Sequence, residues 1–147
     1  MSETNLSGPL KLGDHKPGGA NSDNQGYVVL SQTELIDFDA DLVQEAITYF
    51  PKNSQIVDII VDVLTAYDSA TSATLTVGTA SAGTQYAGSV NAKTAGRVRP
   101  TFSAAQLAAM DDIGTTLTAY ATVTSVGQPT AGQVRVTYVY VQTASDD

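Results

Sequence analysis

The chain has 147 residues and a formal charge of −8, from 15 acidic against 7 basic residues, with one histidine and neither cysteine nor tryptophan. Absence of cysteine removes disulfides, thiolate metal sites and thiol nucleophiles together, and the negative charge opposes long-range attraction to phosphate backbones, so no nucleic acid partner is expected. No apolar run approaches the roughly 20 residues of a membrane helix, and the opening MSETNLSGPLKLG lacks the basic start and apolar centre of a signal peptide, so the expectation is a chain made in a cytoplasm with no membrane contact.

Residues 1–26 are rich in Gly, Asn, Ser, Asp and Pro, including Pro9, Pro17, Gly18, Gly19 and Gly26, and read as an extended N-terminal arm. Within the arm, Leu6, Pro9, Leu10 and Leu12 form a small apolar cluster, more than a purely disordered tail carries, and are candidate contacts to a neighbouring subunit. Fully extended, the arm reaches about 80 Å. Residues 27–147 form a single domain of a size that buries enough surface to fold without staples.

That domain opens with a short strand, Tyr27–Leu30, followed by strand-favouring residues over Leu42–Phe50. Pro51 ends the second strand and PKNS makes a turn. The next strand, Gln55–Tyr67, places Val57, Ile59, Val61 and Val63 on an apolar face and Ile56, Asp58, Ile60, Asp62 and Leu64 on a mixed one. A mixed outer face suits a second contact surface, for which Ile56, Ile60 and Leu64 are the candidate partner residues.

Ala73–Gly78 alternates cleanly, with Leu75 and Val77 inward, whereas the Gly, Ala, Ser and Thr-rich residues 79–96 read as a long loop or a weak edge strand. A short helix is expected over about 103–112: Ser103 is the N-cap, Gln106 completes a capping box, Phe102 and Leu107 stand at staple spacing, and Gly114 closes it. Asp111 and Asp112 oppose the helix dipole and keep it short. Two more strands follow, Thr115–Val126 with Leu117, Ala119, Ala121 and Val123 on one face, and Gln133–Gln142 with Val134, Val136, Tyr138 and Tyr140 on one face. Regularly spaced strands with Thr-rich outer faces and no βαβ alternation specify an all-β fold, an antiparallel β-sandwich.

Residues suited to chemistry are sparse. His15 lies in GDHKPGG, where nothing holds a base in line with a nucleophile; no Ser-His-Asp set, phosphate-cradling glycine loop or Cys/His metal spacing is present. A non-enzymatic chain without a cofactor is therefore expected. Asp37, Asp39 and Asp41, with Glu45, start like a calcium loop in IDFDADLVQE, but the sixth position holds Leu42 where glycine is needed and the twelfth holds Thr48 in place of glutamate. An acidic solvent face with Ile36, Phe38, Ala40 and Leu42 turned inward also accounts for them, so these three carboxylates are the only metal candidates and no metal is expected. Asp58 and Asp62 stand about 13 Å apart along a strand, beyond the roughly 5 to 9.5 Å of a glycosidase pair. Tyr67, Tyr86, Tyr120, Tyr138 and Tyr140 suit a core or an interface more than a sugar platform.

Four stretches together, the arm ending in GYVVLSQ, then YFPKNSQIVDIIVDVLTAYDSATSATLTVGTA, AGRVRPTFSAAQLAAM and the last strand AGQVRVTYVYVQ, resemble small tailed-phage virion proteins of the capsid decoration, or cement, type. The resemblance covers most of the chain beyond Gly26 and rests on strand and turn patterns. It implies a jelly-roll-like form for the sandwich and a structural protein on the outer surface of the virion, synthesised in the host cytoplasm, that binds the major capsid protein and cements joints between its subunits. It also implies a homo-oligomer, a trimer at local threefold positions. The same patterns occur in phage fibre, tail or receptor-binding modules, the alternative reading.

Overall fold

The computed structural model describes residues 28–111 and 117–142; the expected arm, with Leu6, Pro9, Leu10 and Leu12, and the expected helix terminator Gly114 lie outside them. The elements are β1 (Val28–Asp37), β2 (Val43–Phe50), β3 (Ser54–Thr65), β4 (Ser72–Gly78), β5 (Ala87–Asn91), β6 (Gly96–Val98), α1 (Ala104–Met110), β7 (Leu117–Val126) and β8 (Gln133–Gln142).

Strands pair in a nested antiparallel series, β1 with β8, β2 with β7, β3 with β6 and β4 with β5. The chain is thus one long hairpin, rolled up so that β8 also pairs with β3 and β7 with β4. Rolling produces two four-stranded sheets ordered β1-β8-β3-β6 and β2-β7-β4-β5, the jelly-roll arrangement expected from the sequence. Alternation then decides the core: Val134, Val136 and Tyr138 of β8, Leu75 and Val77 of β4, and Ala119, Ala121 and Val123 of β7 are fully buried between the sheets. Phe50 crosses the gap, edge-on to Tyr138 and Tyr140 at centroid distances of 5.3 and 5.1 Å.

The structure departs from the expected elements at four places. First, β1 runs ten residues, well beyond Leu30, because every residue from Val28 to Asp37 finds a register partner on β8. Ile36 is buried as expected, but Phe38 and Leu42 are 43% and 48% exposed and Ala40 is exposed, since the strand ends at Asp37 and the alternation stops with it.

Second, β3 is not a regular alternation. A bulge between Ile56 and Asp58 turns Ile56 into the core beside Ile59, Val61 and Val63 and leaves Val57 exposed. A second irregularity between Val63 and Thr65 leaves Leu64 exposed, and the strand ends at Thr65. Third, residues 79–96 supply two edge strands, β5 and β6, and the stretch before β5 folds over the second sheet. There the Ala82 amide donates to the outward-facing Thr122 hydroxyl at 3.0 Å, which accounts for its complete burial.

Fourth, α1 carries the expected capping box. The Ser103 hydroxyl accepts from the Gln106 amide and the Gln106 side chain accepts from the Ser103 amide. Leu107, however, is 53% exposed over a shallow groove bounded by Gln55, Ile56 and Val57, while Phe102 and Met110 pack on the core. The staple expected between Phe102 and Leu107 is replaced by this packing.

Candidate interaction surface

The outer face of the β1-β8-β3-β6 sheet gathers side chains that are far apart in sequence. Strand alternation puts Asp58, Ile60 and Asp62 of β3 on it, with Arg135, Thr137, Val139 and Val141 of β8 alongside. Register sets Asp62 opposite Arg135 on one flank and Arg97 of β6 on the other. Arg97 donates from Nε to Asp62 Oδ1 at 2.6 Å, and Arg135 donates from Nη2 to Oδ2 at 2.8 Å. Arg99, just beyond β6, reaches Asp58 at 3.8 Å. All three arginines of the chain therefore converge on this face.

Asp62 is covered by its partners, with a side chain only 9% exposed, whereas Arg97 and Arg135 keep 60% and 41% exposure. Hydrogen bonds from Arg97 and then Arg135 outweigh the penalty of burial and lower the carboxyl from its ordinary 3.8 to about 2. A lowered value places the stabilisation above the ordinary pKa: it is fully present above about pH 4 and lost as pH falls through about 2. The exposed guanidiniums let solvent screen the pairs, so the contribution is about 1–2 kcal/mol. Asp62→Asn is accordingly expected to be less stable than the wild type by about that amount in urea at pH 7, with the gap shrinking steadily between pH 4 and pH 2; a gap independent of pH would contradict the ion-pair account.

Of the sequence-derived contact residues, Ile60 lies on this face between the two aspartates, half-buried, and Leu64 is exposed at the end of β3. Ile56 is 3% exposed and belongs to the chain's own core, a correction that follows from the bulge at Val57. Leu6, Pro9, Leu10 and Leu12 lie outside the described residues.

Asp58 and Asp62 do share a face, each facing arginine. The sequence reading missed the arginines, although the alternation of Arg97 and Arg99, and charges spaced for cross-strand pairing with β3, were the available signal.

Asp37, Asp39 and Asp41 sit at the other edge of the same sheet and in the β1–β2 loop, all exposed. The Gln133 side-chain amide donates to Asp37 at 2.6 Å and the Ala40 amide to Asp39 at 2.6 Å. Among the described residues no group of three or more His, Asp or Glu side chains is placed to hold a metal ion. Of the tyrosines, Tyr67, Tyr86 and Tyr138 are almost wholly buried. Burial, followed by the charge of Asp37, pushes the Tyr67 hydroxyl up to about 12, and burial also raises Tyr86 and Tyr138. These three and Tyr140, itself 6% exposed, fill the core, which leaves Tyr49, 64% exposed, and partly buried Tyr120 on the outside of the second sheet.

No family model matches the chain, and no curated protein matches it. Among solved structures, the chain is similar over 86% of its length to a chain of the capsid of Ralstonia phage GP4, covering 91% of that chain at a TM-score of 0.56 and 17% sequence identity, a likeness of fold.

Proposed function

We propose that this protein is a structural component of a phage virion that binds the outside of an assembled capsid and cements the joints between major capsid protein subunits. The observation that carries the reading is the jelly-roll likeness to a chain of a phage capsid over most of both chains. The physical character of the body supports it. Two sheets closed on a largely apolar core, with Phe50 wedged between tyrosines, make a rigid block suited to bracing. Repetition by symmetry lets modest individual contacts add up to firm attachment.

In this reading residues 1–26 form the arm, with Leu6, Pro9, Leu10 and Leu12 latching onto a neighbouring subunit, and the body acts as a homo-oligomer, a trimer at local threefold positions. Ile60 and Leu64 offer apolar contact area on the body; Ile56, buried in the core, does not.

Co-sedimentation with expanded, genome-free heads tests the assignment: saturable, stoichiometric attachment is expected. A free trimeric spike that ignores heads and binds glycans would establish the fibre or receptor-binding reading instead. Deleting residues 1–26 is expected to leave the melting temperature of the body unchanged and to weaken head binding at least tenfold. Full-strength binding by the truncated body would remove the arm from the mechanism.

A further inference from the structure

The two long sides of the sandwich carry opposite charge. β1 and β2 are the neighbouring edge strands on one side, tied by the Gln32 side-chain amide donating to the Tyr49 carbonyl at 3.0 Å, and β5 and β6 are the edge strands on the other. Residues 28–49, which build the first side, contain Glu34, Asp37, Asp39, Asp41 and Glu45 and no lysine or arginine. Residues 79–101, which build the second, contain Lys93, Arg97 and Arg99 and no acid. In a chain of charge −8 this segregation leaves one strongly acidic side and one basic side, separated by three strand spacings, about 15 Å.

Shape follows the same division. Between β5 and β6 lies an open groove of about 440 Å³, lined among others by Gly88, Val90, Val98, Arg99 and Pro100. Lys93 donates to the Ser69 carbonyl at 2.6 Å and Arg97 is held by Asp62, while Arg99, which lines the groove and lies 3.8 Å from Asp58, keeps a side chain 65% exposed. On the acidic side, exposed carboxylates alternate with exposed apolar groups: Phe38 and Leu42 flank Asp39 and Asp41, and Val43, Ile47 and Tyr49 line the outer face of β2. An acidic surface carrying exposed apolar groups and a mixed polar and apolar groove lined by Arg99, on opposite sides of one molecule, are complementary in charge.

We propose that copies of this chain associate head to tail, the acidic β1–β2 side of one copy seating on the arginine-rimmed β5–β6 groove of the next. Because the two patches are different surfaces, the contact is heterologous and can repeat from copy to copy, building an assembly of three or more. Opposite charges at the rim attract while like sides repel, which selects this pairing over groove-to-groove or ridge-to-ridge contact. The contact requires no capsid, so its failure would leave the capsid-binding proposal standing, and failure to bind heads would leave the head-to-tail contact standing.

Analytical ultracentrifugation of the full chain at about 100 μM and low salt tests it. The wild type is expected to sediment as an oligomer of three or more copies that loosens as salt rises to about 0.5 M, where the Debye length falls to a few ångströms. Arg99→Glu alone and the pair Asp39→Lys with Asp41→Lys are each expected to weaken association at least tenfold while keeping the wild-type melting temperature within a few degrees. Combining all three reversals in one chain restores opposite charges across the contact and is expected to restore the oligomer. A monomeric or strictly dimeric wild type, an oligomer indifferent to either reversal, or a combined variant that stays monomeric would each overturn the proposal.

Discussion

Tyr138→Ala is expected to cost about 3–5 kcal/mol, a large share of the whole stability of a domain of this size. Tyr138 is fully buried near the centre of β8, the strand that pairs with both β1 and β3, so its ring packs where the sheet is continuous on either side. The loss has two parts. Removing the ring takes away buried apolar area and opens a cavity that flanking strands held by their ladders cannot fill. It also removes the edge-on partner of Phe50, with centroids 5.3 Å apart, one of the few side-chain bridges from β8 to the β2 edge of the opposite sheet. Urea denaturation should show the midpoint falling steeply with little change in slope. Tyr138→Phe, which keeps the ring and deletes only the hydroxyl, is expected to lose less than about 1 kcal/mol. Equal losses for the two variants would mean that the hydroxyl, not the ring, supports the core.

Gly132→Ala is expected to lower stability by about 3 kcal/mol, a fall of about 10 °C in the melting temperature. A methyl group at Gly132 would sit 2.5 to 2.7 Å from Cγ, Cδ2 and Cδ1 of the Tyr67 ring, well inside contact distance. The ring has nowhere to go: Tyr67 is 1% exposed, and its amide donates to the Ala92 carbonyl at 3.0 Å. The chain on both sides of the clash is also pinned. The Asp68 carboxylate accepts from the amides of Thr130 and Ala131 and from the Thr130 hydroxyl, and the Phe38 amide donates to the Gly132 carbonyl at 3.0 Å. Three loops therefore meet at this glycine, and strain there would loosen the end of the sandwich that presents Asp39 and Asp41. A double-mutant cycle with Tyr67→Ala is the decisive measurement: the part of the cost due to the ring should vanish once the ring is gone, leaving the part due to the positive φ of 157° at Gly132. A cost unchanged by removal of the ring would locate all of the strain in the backbone at Gly132.

Much of the sandwich was legible because strand alternation is a local property. The faces of β4 and β8 and the described inward residues of β7 follow from period two alone, since the residues that alternate in sequence are the ones that alternate across a pleat. The capping box of α1 was legible for a similar reason: Ser103 and Gln106 satisfy each other's backbone amides within one turn.

β3 shows where locality ends. An unbroken alternation would put Val57 inside and Ile56 outside; the structure does the reverse, because β8 supplies Tyr140 opposite Ile56 and Val139 opposite Asp58, leaving Val57 as the extra residue. Nothing within the hexapeptide around Val57 announces that choice, which is set by the register with β8. The edges β5 and β6 were hidden in a stretch of small residues for the same reason, since weak strands are recruited by the longer strands they pair with.

From the sequence alone come the all-β class, the faces of the regular strands, the capped helix and the acidic balance. Tertiary structure alone decided that the hairpin rolls into a jelly roll, that Ile56 serves the core, that Arg97 and Arg135 close on Asp62, and that acids and arginines end on opposite sides of the molecule. The physical reason is the range of the forces involved. Alternation, capping and turn chemistry act between residues a few positions apart, whereas bulge placement and the meeting of Asp62 with residues 35 and 73 positions away depend on which strands pair, and that is settled by burying the whole apolar surface together.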